Sequence, residues 1–172
     1  LAERARSASI MVLAPISHSL FPYMCHLFAK DSKRANDTLW IFILFYFALA
    51  FVMAVLLFIY ARPILAFLGG GAFSGSISLL RILSFSTIMS AMASFAIYQI
   101  LIPNAQYGIY RNVVFVTLAL VPILAWPMIS VYGAMGGAII VVLFETVSCG
   151  AFWYFAYRRV LGHKGLPLHS KG

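Results

Sequence analysis

Chemistry in this chain can come from very few side chains. Only four Asp and Glu stand beside twelve Lys and Arg in 172 residues. Two ionisable groups sit in the middle of apolar stretches, Glu145 in LFETV and His18 in ISHSL, and Arg81 lies a short way into a third. Such groups are costly in hydrocarbon, roughly 2.5–3.5 kcal/mol at a helix centre on insertion scales. Glu145 suits coupling to a proton or cation, or a polar contact to a substrate. Its structural alternative is a protonated carboxyl, or one hydrogen-bonded to a neighbouring helix. His18 can exchange protons near neutral pH, or donate one fixed hydrogen bond and never titrate. Arg81 either snorkels to the nearer interface or offers an inward cation to an anionic lipid. Ser84 and Gln99 share roughly its helical face, whereas Thr87, Ser90 and Ser94 fall on another and read as helix-packing contacts. Arg4 and Arg6 precede the first apolar run. Their planar forks suit phosphate oxygens, although arginines also flank ordinary membrane helices.

No catalytic constellation accompanies these residues. The acids form no pair, there is no nucleophile–base arrangement, and His18 and His26 are not spaced as a metal pair at i, i+4. Cys25 and Cys149 lie in apolar stretches and read as small hydrophobes. The sequence therefore predicts neither an enzyme nor a metal or cofactor site.

The elements that must position these side chains are membrane helices. The chain is 63% hydrophobic and 9% charged, with a mean hydropathy of +0.98, far from the balance of a water-soluble domain. A bilayer core about 30 Å thick needs about 20 apolar residues in a helix, because no backbone polar group can go unpaired there. The segment 39–61, LWIFILFYFALAFVMAVLLFIYA, meets that demand without a single charge. The same reading gives an all-α bundle of five transmembrane helices at 7–28, 38–61, 77–103, 112–132 and 134–157. Residues 1–161 form the helical lobe and 162–172 a basic cytoplasmic tail.

Prolines 15 and 22 predict a kinked, partly polar first helix, and Pro122 and Pro127 do the same for the fourth. Residues 29–37 and 104–111 read as short polar turns, and 62–76 as a loop lying in the interface. Gly133 and Gly137 have the spacing of a close helix contact. The positive charges are lopsided. Lys30, Lys33, Arg34, Arg111, Arg158, Arg159, Lys164 and Lys171 gather on one side, against Arg4, Arg6 and Arg62 on the other. That bias puts the first group in the cytoplasm, with Trp40, Trp153, Tyr154 and Tyr157 as interfacial anchors. The net charge of +8 thus reads as a topology signal facing anionic lipid, and no nucleic-acid partner is expected. The N-terminus then falls on the outer face, which suits a chain whose earlier helices are missing.

Three stretches carry a family resemblance: 2–31, AERARSASIMVLAPISHSLFPYMCHLFAKD; 64–83, ILAFLGGGAFSGSISLLRIL; and 133–145, GAMGGAIIVVLFE. They resemble the C-terminal half of bacterial polysaccharide flippases, the O-antigen translocase branch of the multidrug/oligosaccharidyl-lipid/polysaccharide exporter superfamily. The resemblance implies most of one lobe of a two-lobe inner-membrane transporter, its N-terminal lobe absent from this chain. The substrate it implies is an undecaprenyl-diphosphate-linked oligosaccharide, with membrane lipids as surroundings. It also implies that the first helix lines a central cavity, which makes Arg4, Arg6 and His18 candidate substrate contacts. Arg81 joins them as the inward cation of its second reading, and Glu145 is the coupling-ion candidate from its place in an apolar stretch, since the resemblance gives the last helix no cavity role. Two other readings stand beside it: a cation-coupled multidrug exporter of the same superfamily, and an inactive truncated membrane protein. On the flippase reading, Arg4→Ala or Arg6→Ala in the full-length parent should lower surface polysaccharide more than Arg81→Ala does. Equal, near-wild-type polysaccharide in all three variants defeats that ranking.

Overall fold

A computed structural model describes residues 2–30, 32–69 and 76–158. Its elements are α1 (Ala2–Lys30), α2 (Ser32–Ile59), α3 (Ala61–Gly69), α4 (Ser76–Phe95), a π-helical turn (Ala96–Leu101) that continues α4, and α5 (Tyr107–Ala156). Among the described residues there is no strand. Among the described residues four segments are long and apolar enough to cross a membrane: Ala2–Leu27, Asp37–Ile59, Ser76–Leu101 and Tyr107–Ala156. Apolar side chains cover these helices on nearly every face, as expected where both neighbours and surroundings are hydrocarbon.

α5 is not one rod. Fifty residues of straight helix would span about 75 Å, yet the Tyr110 and Phe152 rings stack 6.2 Å apart. The chain reverses at Gly133, whose φ of 57° and ψ of −138° lie where L side chains are strained. The arms 107–132 and 134–156 return against each other, joined by a Thr117–Ser148 hydroxyl contact of 3.2 Å. A Cβ on Gly136 would collide with the backbone of Met128. The tight glycine is thus Gly136, while Gly137 has only ordinary contact with Ile129.

Side-chain contacts give the directions. Arg6 meets Ser86 and Ser17 meets Gln99, so α1 and α4 run parallel. Tyr46 meets Phe95 and Phe58 meets Arg81, so α2 runs against them. Trp153 donates to the Met92 carbonyl, which sets the 134–156 arm parallel to α4. Two apolar clusters fill the bundle. Ala2, Ala5, Leu57, Leu80, Leu83 and Ala138 pack near one end; Leu13, Met24, Tyr46, Phe95, Ile100 and Phe152 pack toward the other.

Several boundaries differ from the sequence reading. α1 starts at Ala2 rather than residue 7, so Arg4 and Arg6 belong to the helix instead of preceding it. Of the polar turn expected at 29–37, residues 29–30 belong to α1 and 32–37 to α2, the stretch having no Gly or Pro to break a helix; residue 31 lies outside the described residues. Part of the expected interface loop at 62–76 is helical, as α3. Pro63 cannot donate to the Ile59 carbonyl, which is where α2 gives way to α3. Residues 70–75 of that loop, Arg159, Lys164, Lys171 and the basic tail 162–172 lie outside the described residues. The turn expected at 104–111 is shorter too. α5 begins at Tyr107 because Ile109 and Tyr110 pack on the bundle.

Gly136→Ala should destabilise the folded protein in detergent by about 1–3 kcal/mol, the usual cost of overpacking. Gly150→Ala, with nothing within 4 Å of an added Cβ, should be neutral. Thermal unfolding of the two variants side by side checks this.

Candidate functional site

Between the two apolar clusters runs a layer of polar side chains. On α1 the order is Ala2 and Ala5, then Arg6 and Ser9, then Leu13; on α4 it is Leu83, then Ser84, Ser86 and Thr87, then Ala91. The 134–156 arm repeats it with Ala138, Glu145 and Phe152. Arg6 is the centre of this layer. Its side chain is 9% exposed, that of Glu145 22% and that of Glu3 55%.

The guanidinium spends nearly all its donors here. Nε donates to both Glu3 carboxylate oxygens at 3.1 and 3.2 Å, and Nη2 donates to Glu3 Oε1 at 2.7 Å. Nη1 donates to Ser86 Oγ at 3.0 Å and to Glu145 Oε1 at 2.8 Å. Ser86 completes the chain by donating to the Leu83 carbonyl at 2.8 Å. Glu3 is one turn before Arg6, so α1 supplies half of the cradle by itself. Ser86 and Glu145 come from two other helices, 80 and 139 residues away.

Two carboxylates and one guanidinium leave a net charge of −1 when all three are ionised. One proton or one monovalent cation cancels it. Glu145 Oε2 is buried with no hydrogen-bond partner, and Ser90 also faces this carboxyl. The layer can therefore change its charge state at one identifiable atom. Among the described residues no three His, Cys, Asp or Glu converge as a metal site.

The structure joins two of the five residues singled out from sequence, Arg6 and Glu145, and leaves the other three apart. Arg4 is exposed. Arg81 is exposed as well, with its guanidinium 5.4 Å from the Phe58 ring centre. His18 is exposed and meets Tyr98 edge-on at 5.0 Å. Arg6 precedes the first apolar run in the sequence, but in the fold it lies level with Glu145, near the middle of the 134–156 arm. With four of its five N–H groups engaged, it has no open fork for a diphosphate. Gln99 does not share the Arg81 face. Eighteen residues are five whole turns of α-helix, but the π-turn's extra residue rotates Gln99 into the core, where its amide donates to the Ser17 carbonyl.

Sequence reasoning missed Glu3 and Ser86. The Glu3–Arg6 spacing of three was visible, and marks a helical ion pair. Ser86 belongs to a run of hydroxyl residues from Ser84 to Ser94 in which nothing distinguishes one from the next. Two apolar clefts of about 400 and 580 Å³ also open on the bundle surface, the first between the arms of α5 and the second among α1, α2 and α3. The second touches the edge of the polar layer at Ser9, but neither is lined by Arg6, Glu3 or Glu145.

Arg6→Met leaves two carboxylates without their cation. Breaking a buried pair this way costs about 3–5 kcal/mol, and the partial exposure of Glu145 puts this one at the lower end. Arg6→Met with Glu145→Met should recover much of the loss, whereas Arg4→Ala should be neutral. A thermal-unfolding double-mutant cycle in detergent gives the coupling, and additive single effects contradict the pairing.

No protein-family model, curated protein or solved structure matches this chain, so a role has to be argued from the site itself.

Proposed function

We propose that the chain is a helical lobe of a bacterial inner-membrane transporter, and that the Arg6–Glu145 layer is its coupling centre. The observation that carries this is an ion-paired layer held by three helices inside an otherwise apolar bundle. A scaffold could hold the same register with neutral groups and needs no charge in the layer. Buried ion pairs are often no more stabilising than well-packed hydrophobic residues, and ionisable groups within membrane spans mark relays and substrate paths.

The lobe crosses the bilayer five times on this reading, the two arms of α5 counting separately because Gly133 reverses the chain. Lys30, Arg111 and Arg158, all exposed, share one end of the bundle with the helical positions of Lys33 and Arg34. That end faces the cytoplasm by the positive-inside bias. The cargo follows from the resemblance of 2–31, 64–83 and 133–145 to polysaccharide flippases: an undecaprenyl-diphosphate-linked oligosaccharide moved outward for surface polysaccharide assembly. Arg4, exposed two residues before Arg6, is the guanidinium left to meet a diphosphate, while Arg6 serves the layer. A second lobe completes the cavity.

The excess carboxylate supports a second reading, a cation-coupled multidrug exporter of the same superfamily. Two acids around one base, with Glu145 Oε2 unpartnered, suit exchange of a cation.

The test is complementation of a strain lacking its polysaccharide flippase by the full-length gene. The flippase reading expects surface polysaccharide to be restored with drug resistance unchanged. Glu145→Gln should cut restoration on the order of tenfold or more, the rate equivalent of about 1.4 kcal/mol, while leaving the protein at normal levels in the membrane. Altered drug resistance without restored polysaccharide selects the exporter. Full activity of Glu145→Gln removes the coupling role.

A further inference from the structure

A second polar level lies eleven residues along α1 from Arg6, about 16 Å at 1.5 Å per residue. Here Gln99 Nε2 donates to the Ser17 carbonyl at 2.6 Å, and the neighbouring His18 and Tyr98 rings meet edge-on. Ser17 and Gln99 are 1% and 0% exposed. Ser17 Oγ and Gln99 Oε1 nevertheless make no close hydrogen bond, with the Tyr46 hydroxyl facing Ser17 as the one polar neighbour from α2.

Both helices are weakened at this level. In α1, Pro15 and Pro22 cannot donate to the carbonyls of Met11 and His18, so the backbone ladder is open on either side of Ser17. In α4, the π-turn Ala96–Leu101 replaces α-helical bonding, and Ile102 N–H donates five residues back to the Ile97 carbonyl at 2.9 Å. Prolines and π-turns are the points at which helices bend. Two such points on adjacent helices, joined by one buried side-chain bond, form a hinge with a latch. The unused Ser17 hydroxyl and the unused Gln99 carbonyl supply a second donor–acceptor pair on the same two residues. The helices can therefore exchange one pairing for another without burying any new polar atom.

We infer that the Gln99–Ser17 bond latches the proline-flanked half of α1 to the π-turn of α4, and that its release lets residues 15–30, with the α2 start joined to them, swing relative to α4. This rests on packing alone and holds whatever the protein carries.

Paired spin labels test it in the full-length protein in lipid nanodiscs, with Cys25→Ala and Cys149→Ala as background. One pair, Lys30→Cys with Tyr107→Cys, spans the far side of the hinge; the other, Ala8→Cys with Ser78→Cys, reports the near side. Gln99→Met keeps the volume and removes the donor. It should shift or split the Lys30–Tyr107 distance by about 5 Å, one helical turn, and leave Ala8–Ser78 unchanged. Pro22→Ala restores the backbone bond to the His18 carbonyl, closing the ladder of α1 on the Lys30 side of Ser17, and should narrow the Lys30–Tyr107 distribution. An unchanged Lys30–Tyr107 distance in Gln99→Met overturns the latch, as does equal broadening of both pairs, which is general loosening. Should Gln99→Met fail to fold, an unaltered width in Pro22→Ala overturns it alone.

Discussion

A guanidinium in hydrocarbon must be answered by its neighbours, and Arg6 takes its answers from three helices. α1 contributes Glu3, α4 contributes Ser86, and the 134–156 arm contributes Glu145. Each contact has a required length and direction, so each helix is fixed in height against the other two. Apolar side chains cannot do this as well. In lipid there is no hydrophobic drive between helices, and a Leu-rich face slides along another at little cost. The clusters above and below the layer are thus aligned by the layer. Leu80 and Leu83 meet Ala2 and Ala5 because Ser86 meets Arg6.

The same contact sets what the bundle can do. A neutral layer could hold the register, as a single buried Asn does in coiled coils. This layer carries an extra negative charge instead, and leaves one oxygen of Glu145 without a partner. On the proposed coupling role, a proton or cation arriving at that oxygen would act on α1 and α4 through Arg6 and Ser86. The surface clefts have no such reach, because their linings are almost wholly apolar.

How much of this could be read from the sequence depends on the range of the interaction concerned. Helical spans are a property of local composition, so the helices read at 38–61 and 77–103, found as Asp37–Ile59 and Ser76–Leu101, and the break at Gly133 were legible. α3 was not, because the Gly-rich stretch after it masks a helix that Leu65 holds against the bundle. The chemistry of Glu145 was visible, but its partner is 139 residues away. Arg6 read as a flanking residue because only five residues precede it. Counting along the chain cannot show that α1 begins beside the middle of the 134–156 arm. Gln99 was misplaced for a different reason. A constant 3.6-residue period carries it onto the Arg81 face, and a single π-turn defeats that count.

The two polar levels differ in strength, and the difference decides where the bundle can move. At the Arg6 level every bond between helices involves the ionised guanidinium, and separation leaves charges stranded, at several kcal/mol each. At the Ser17–Gln99 level a neutral bond is at stake. Hydrogen bonds between membrane helices average only about 0.6 kcal/mol, and the spare hydroxyl and carbonyl offer a replacement. The backbone follows the same division, intact through Arg6 and Ser86 but broken by proline and π-turn around Ser17 and Gln99. A relative movement of these helices therefore opens at the neutral level first and pivots on the charged one. Adding a proton or cation at Glu145 weakens its hold on Arg6, and that loosens the pivot itself.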